Sequence, residues 1–143
     1  MLPTQDIVDK ELTYIRLENP GVICTMLVDD NGLVIGSSLK EEEINEMEVA
    51  AATALVHAIS TLMETRVKSG HFEVDNYKII FSDVEGKATL VGIVHGDGPL
   101  VKYVKAMTSA AKKISEYLFN NSPLKRSLFI RELKEKLLAR KAA

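Results

Sequence analysis

A chain of 143 residues with 46% hydrophobic and 27% charged side chains is expected to form one soluble globular domain with its own core. A net charge of −2 argues against a strongly basic nucleic-acid binder. The single cysteine excludes an internal disulfide, and no run reaches the roughly 18 apolar residues of a membrane-spanning helix.

In chain order, Thr4 to Glu18 reads as a first helix, with Thr4 as its cap and Ile7 or Val8, Leu12 and Ile15 at helical spacing. Asn19-Pro20-Gly21 stops it. Gly21 to Ser37 follows as two apolar, β-branched runs hinged on Asp29-Asp30-Asn31-Gly32, a strong hairpin signal. The first run, Val22 to Val28, does not alternate, which places it in the middle of a sheet covered on both faces. Cys24 lies inside it and reads as a buried small hydrophobe.

A second helix is expected from about Ile44 to Lys68, rich in alanine at its centre and stopped by Gly70. Its acidic entry (Glu41, Glu42, Glu43, Glu46) and basic exit (Arg66, Lys68) suit the helix dipole. Phe72 to Val74, Tyr77 to Phe81 and Ala88 to Val94 read as three more strands, the last pair joined by a turn at Val84 to Lys87. The nearly all-apolar last strand is expected beside the opening one. Gly96-Asp97-Gly98 breaks the sheet, and Pro99 opens a third helix that runs to about Phe119 with a stripe at Leu100, Tyr103 or Val104, Met107, Ala110 or Ala111, Ile114, and Tyr117 or Leu118. Asn120 to Pro123 is a linker. A last helix, about Pro123 to Arg140, is expected to be amphipathic and to lie outside the compact pattern. The fold class is therefore α+β: a single antiparallel sheet of about five strands with helices on both faces, in the order α-β-β-α-β-β-β-α, plus a C-terminal helix. The division expected is 1–119 for the domain and 120–143 for the linker and basic helix.

The charge is uneven. Leu124 to Ala143 holds seven basic residues against two acidic ones, a balance of +5 that leaves −7 on the first 123. The basic helix has three readings: packing on its own domain, gripping a partner protein, or touching anionic lipid.

Catalytic signals are weak. His57, His71 and His95 fall on different elements without metal-ligand spacing. Gly96-Asp97-Gly98 before a helix could hold an anion on its N–H groups, but it lacks a nucleotide-cradle pattern and carries Asp97. The glutamates of 41–48 read as a solvated helix entry as readily as an acid–base pair. Ser37-Ser38 has no histidine at useful spacing.

The run Gly21-Val22 through Leu27-Val28-Asp29-Asp30-Asn31-Gly32-Leu33-Val34-Ile35 resembles the first hairpin of the roadblock/dynein light chain family. Ala50-Ala51-Ala52-Thr53-Ala54-Leu55 looks like that family's long central helix. Thr89 to Val94 followed by Leu100 to Ile114 is similar to its last strand and helix. The resemblance covers about residues 4–119. It implies a longin-like domain that binds no cofactor, forms dimers edge to edge with paired second helices, and binds small Ras-like GTPases as a non-catalytic adaptor or regulator. The dimer face it implies comprises Met47, Ala51, Ala54, Leu55, Ala58, Leu62, Phe72 and Val74. The candidate partner-binding residues are Glu46, Thr53, His57, Arg126, Phe129, Leu133 and Leu137. The expected setting is a cytoplasmic homodimer without nucleic acid, with any membrane contact confined to the C-terminal helix. The alternatives are a small-ligand-sensing domain and a membrane-associated scaffold.

Overall fold

The computed structural model describes residues 5–29, 33–39, 68–74, 76–117 and 123–142. Helix α1 (Gln5–Glu18) leads into β1 (Val22–Asp29) and β2 (Val34–Leu39). After it come β3 (Ser69–Val74), β4 (Tyr77–Val84) and β5 (Ala88–His95), then α2 (Leu100–Tyr117) and α3 (Pro123–Ala142). The five strands form one sheet in the order β2-β1-β5-β4-β3, and every pairing is antiparallel. The expected second helix, from about Ile44 to Lys68, lies outside the described residues apart from its last position, as does the hairpin turn at 30–32.

The two apolar runs without alternation are the two innermost strands. β1 and β5 are buried along nearly their whole length and pair with each other from Val22↔Val94 to Asp29↔Ala88. On the first face of the sheet, Leu27, Leu90, Val94, Ile80 and Val84 pack under α1 (Val8, Leu12, Ile15) and α2 (Tyr103, Met107, Ala111, Ile114). The helical stripes read from the sequence are those that meet the sheet. The second face carries Ile23, Cys24, Met26, Val28, Val91 and Ile93, all buried, with Phe72, Tyr77 and Phe81 at its margin. Burying a Leu, Ile, Val or Met side chain contributes about 1.5–3 kcal/mol, so both faces are major sources of stability. Thr25 is a polar group at the centre of the first face, and its hydroxyl donates to the carbonyl of Leu12 at 2.7 Å, which satisfies it without water.

The β4–β5 turn places Glu85 at φ 50° and Gly86 at φ 71°. This is the double left-handed geometry that matches the twist of a hairpin. Asp83 accepts the Gly86 N–H on both carboxylate oxygens, at 3.2 and 3.0 Å.

Three sequence expectations change. β3 begins at Ser69, so Gly70 is a strand residue and not a helix stop. A Cβ at Gly70 would lie 2.6 Å from Cζ of Phe81; the missing side chain lets that ring lie across the neighbouring strand. The last helix is not outside the compact pattern, because Leu133 is buried in the same core as α1 and α2, with Leu137 packed against it. Nor is it cleanly amphipathic: Leu128 and Leu138 are 44% and 66% exposed.

Candidate functional site

The sheet ends in two unlike edges. At the β2 edge, α1 lies alongside. The Ser37 N–H donates to Oδ1 of Asp9 at 2.9 Å, so a carboxylate occupies a ladder donor that another strand could otherwise use. Ser38, one residue on, receives the Thr13 hydroxyl and Nε of Arg16, both at 3.0 Å. This edge is closed by side chains of its own first helix.

The β3 edge is built differently. The Asp83 N–H donates to the Lys68 carbonyl at 2.6 Å, which makes Lys68↔Asp83 a hydrogen-bonded pair. With the register Ser69↔Ser82 to Val74↔Tyr77, the alternation of an antiparallel ladder turns the backbone groups of Gly70, Phe72 and Val74 toward β4. Those of Ser69, His71 and Glu73 turn outward. The side chains of these three residues are exposed, and no described strand pairs beyond them. Phe72 points to the other face and leans on Phe81, ring centroids 6.3 Å apart at 45°.

A polar cluster joins the three helices. Tyr14 of α1 is ringed by cations: Nζ of Lys113 and of Lys136 each lie 5.4 Å from its ring centroid, and the Arg140 guanidinium lies at 6.0 Å. Each such contact contributes about 0.5–1 kcal/mol where solvent reaches it. Arg140 also reaches Oε1 of Glu18, through Nε at 3.2 Å and through Nη2. Hydrogen bonds from Arg140 and Tyr14 hold the Glu18 carboxyl below its ordinary value. One turn earlier, Glu11 is 1% exposed, and neither carboxylate oxygen has a hydrogen-bond partner. Burial pushes its carboxyl up to about 7, against the opposing pull of Lys113 and Lys136. The contacts run Tyr14 to Lys136 and Glu18 to Arg140, so α3 lies parallel to α1. Leu133 and Leu137 form its apolar seam.

Of the residues singled out from the sequence, Met47, Ala51, Ala54, Leu55, Ala58 and Leu62, and Glu46, Thr53 and His57, lie outside the described residues. Phe72 and Val74 fall on the open edge strand, Phe72 half-buried. Arg126 and Phe129 are on α3. Leu133 and Leu137 cover the chain's own core, so neither is presented to a partner while α3 is docked. His71 is exposed on β3, while His95 closes β5 and stacks on Tyr77 at 5.5 Å. The Gly96 and Gly98 N–H groups are spent on carbonyls of Asn76 and His95, at 2.7 and 3.1 Å, so that segment is a turn and not an anion cradle. Among the described residues, no group of three or more His, Cys, Asp or Glu converges as a metal site would require. No described helix is long and apolar enough to cross a membrane. An open groove of about 520 Å³ runs between α2 and the β3–β4 end of the sheet, lined by Lys68, Ser82, Asp83, Lys112, Ser115 and Glu116 among others. Its charges are mixed and it lies open to solvent, unlike the pockets that enclose small molecules. Sequence reasoning missed Glu11, Tyr14, Lys113 and Lys136, because their meeting depends on where the last helix lands.

No family model and no curated relative matches the sequence; the likenesses are structural. Myxococcus xanthus MglB superposes with a TM-score of 0.65 at 18% identity, over 76% of this chain and 92% of that one. The Roadblock/LC7 domain from Streptomyces avermitilis superposes at 0.66 and 14%, over 78% and 98%. Acanthamoeba castellanii profilin II superposes at 0.55 and 14%, over 79% and 97%. At such identities the likeness speaks for fold, and the higher scores go with the roadblock-type structures. By these superpositions, this chain has the fold of the Roadblock/LC7 domain.

Proposed function

We propose that the protein is a non-catalytic, dimeric adaptor that binds a small Ras-like GTPase and modulates its nucleotide cycle or its location. The observation that carries this reading is the open β3 edge on a Roadblock/LC7 fold. Outward backbone donors and acceptors at Ser69, His71 and Glu73 supply the means for two copies to join their sheets, since a bare edge is a template for another strand. The hairpin, the alanine-rich segment and the last strand and helix resemble the same family, which implies the GTPase as the further partner. The likeness to MglB structures supports a binding role over a catalytic one.

The test is size-exclusion chromatography of the full chain with Ras-like GTPases of the host, loaded in turn with GDP and with a non-hydrolysable GTP analogue. A complex in one nucleotide state is expected. No complex in either state would sink the proposal.

A further inference from the structure

Glu11 is a costly residue to place where it is. A carboxylate buried without hydrogen bonds forfeits its hydration, and a neutral carboxyl forfeits much less. The groups facing it are known on each helix that meets there: Tyr14, with Glu18 beyond it, on α1; Lys113 on α2; Lys136, with Arg140 beyond it, on α3. Both ammonium groups favour the ionised form, and burial outweighs them. Neither lysine closes onto the carboxyl, since both Glu11 oxygens lack a partner. Part of the burial comes from α3, whose Leu133 and Lys136 lie over this part of α1.

We propose that α3 is a proton-linked latch: its docking on α1 and α2 is firm while the Glu11 carboxyl is protonated and loosens when that carboxyl ionises. The sign follows from linkage. A carboxyl whose value is raised in the docked state, from 4.5 to about 7, binds its proton more tightly there than when exposed. Its support for docking is therefore complete below 4.5 and is lost as pH climbs through about 7. Loosening α3 bares Leu133 and Leu137 and sets free a helix with seven basic residues against two acidic ones. The latch stands on the helix interface and is independent of the GTPase reading.

The experiment measures hydrogen-exchange protection of the α3 amides in the full chain from pH 5 to pH 8, corrected for intrinsic exchange. In the wild-type chain the opening constant of α3 is expected to rise on the order of tens of fold across that range. Glu11→Gln is expected to flatten the dependence. Glu11→Met, which fits the same volume without a polar group, takes its place if the glutamine chain does not fold. In parallel, the carboxyl carbon shift of Glu11 is expected to titrate with a midpoint near 7. The proposal is overturned by a wild-type protection that stays level or grows with pH, by an equal pH slope in the variants, or by a Glu11 midpoint below 5.

Discussion

The two margins of the sheet teach different lessons about what an edge strand is for. At β2, the first helix delivers Asp9 to a backbone N–H and Thr13 and Arg16 to the neighbouring serine, and α3 adds a further layer upon that helix. At β3, the outward residues are Ser69, His71 and Glu73, all exposed, and α2 covers β4 and β5 next door. Among the described residues, one margin is plugged by the domain itself and the other has no strand paired beyond it. Natural sheets blunt edges that must not pair, so leaving one bare fits use of that margin in assembly.

The largest effect is expected from His71→Pro. The N–H it removes points away from β4, so the internal ladder loses nothing, while an incoming strand loses a donor and meets a rigid ring. Sedimentation equilibrium is expected to show dimerisation weakened by about 100-fold, with a melting temperature close to wild type. An unchanged association constant, or a chain that is monomeric throughout, would remove β3 as the proposed dimer surface. Gly36→Ala acts on the plugged margin. Its Cβ would lie 2.6 Å from Oδ1 of Asp9 and 2.7 Å from Cγ1 of Val8, so α1 must back away. A loss of about 1–3 kcal/mol in urea unfolding is expected, with dimerisation untouched. Asp9→Ala unplugs the same margin more gently. Losing the carboxylate on the Ser37 N–H is expected to cost about 1 kcal/mol and to produce association beyond the dimer at high concentration; a chain that stays dimeric would show that α1 alone suffices to shield β2. Arg140→Ala should do least. The pair with Glu18 is 40% and 42% exposed, and such pairs contribute less than about 1 kcal/mol. Because Glu18 is depressed from 4.5, its share is present above that value and is lost as pH falls, opposite in direction to Glu11. Urea midpoints of Arg140→Ala and wild type should therefore converge in acid, and a gap that widens there would contradict the assignment.

Much of this architecture is legible in local pattern. Val22 to Val28 and Thr89 to Val94 read as central strands because neither alternates, and each is covered on both faces. The stripe through Tyr103, Met107, Ala111 and Ile114 reads as a sheet-facing helix side, and it is one. What failed to read was set at long range. Gly70 has the chemistry of a helix stop, but its reason for being glycine is the Phe81 ring on another strand. Glu11 looks like an ordinary polar residue between apolar turns, and the lysines that face it come from two helices about 100 residues or more further along the chain. The open edge was placed at Phe72 to Val74, half the true strand, because Ser69 and Gly70 carry little strand propensity. Which backbone groups of that edge turn away from β4 is a matter of register, which side-chain pattern does not encode.

The parallel seating of α3 on α1 also orders events in time. Glu18 and Arg140 meet across a separation of 122 residues, so every strand of the sheet must be made before that contact can form. During synthesis the first helix and the sheet have their partners early, while Tyr14 and Glu11 wait in water for the final segment to emerge. Pairing so distant in sequence is entropically slow, and among the described side chains of the last helix the core takes in Leu133 and Leu137. The body of the domain is thus expected to fold first and the helix to settle onto it afterwards. A stopped-flow refolding trace should then hold two phases, the slower reported by the Tyr14 phenol as Lys136 and Arg140 close around it.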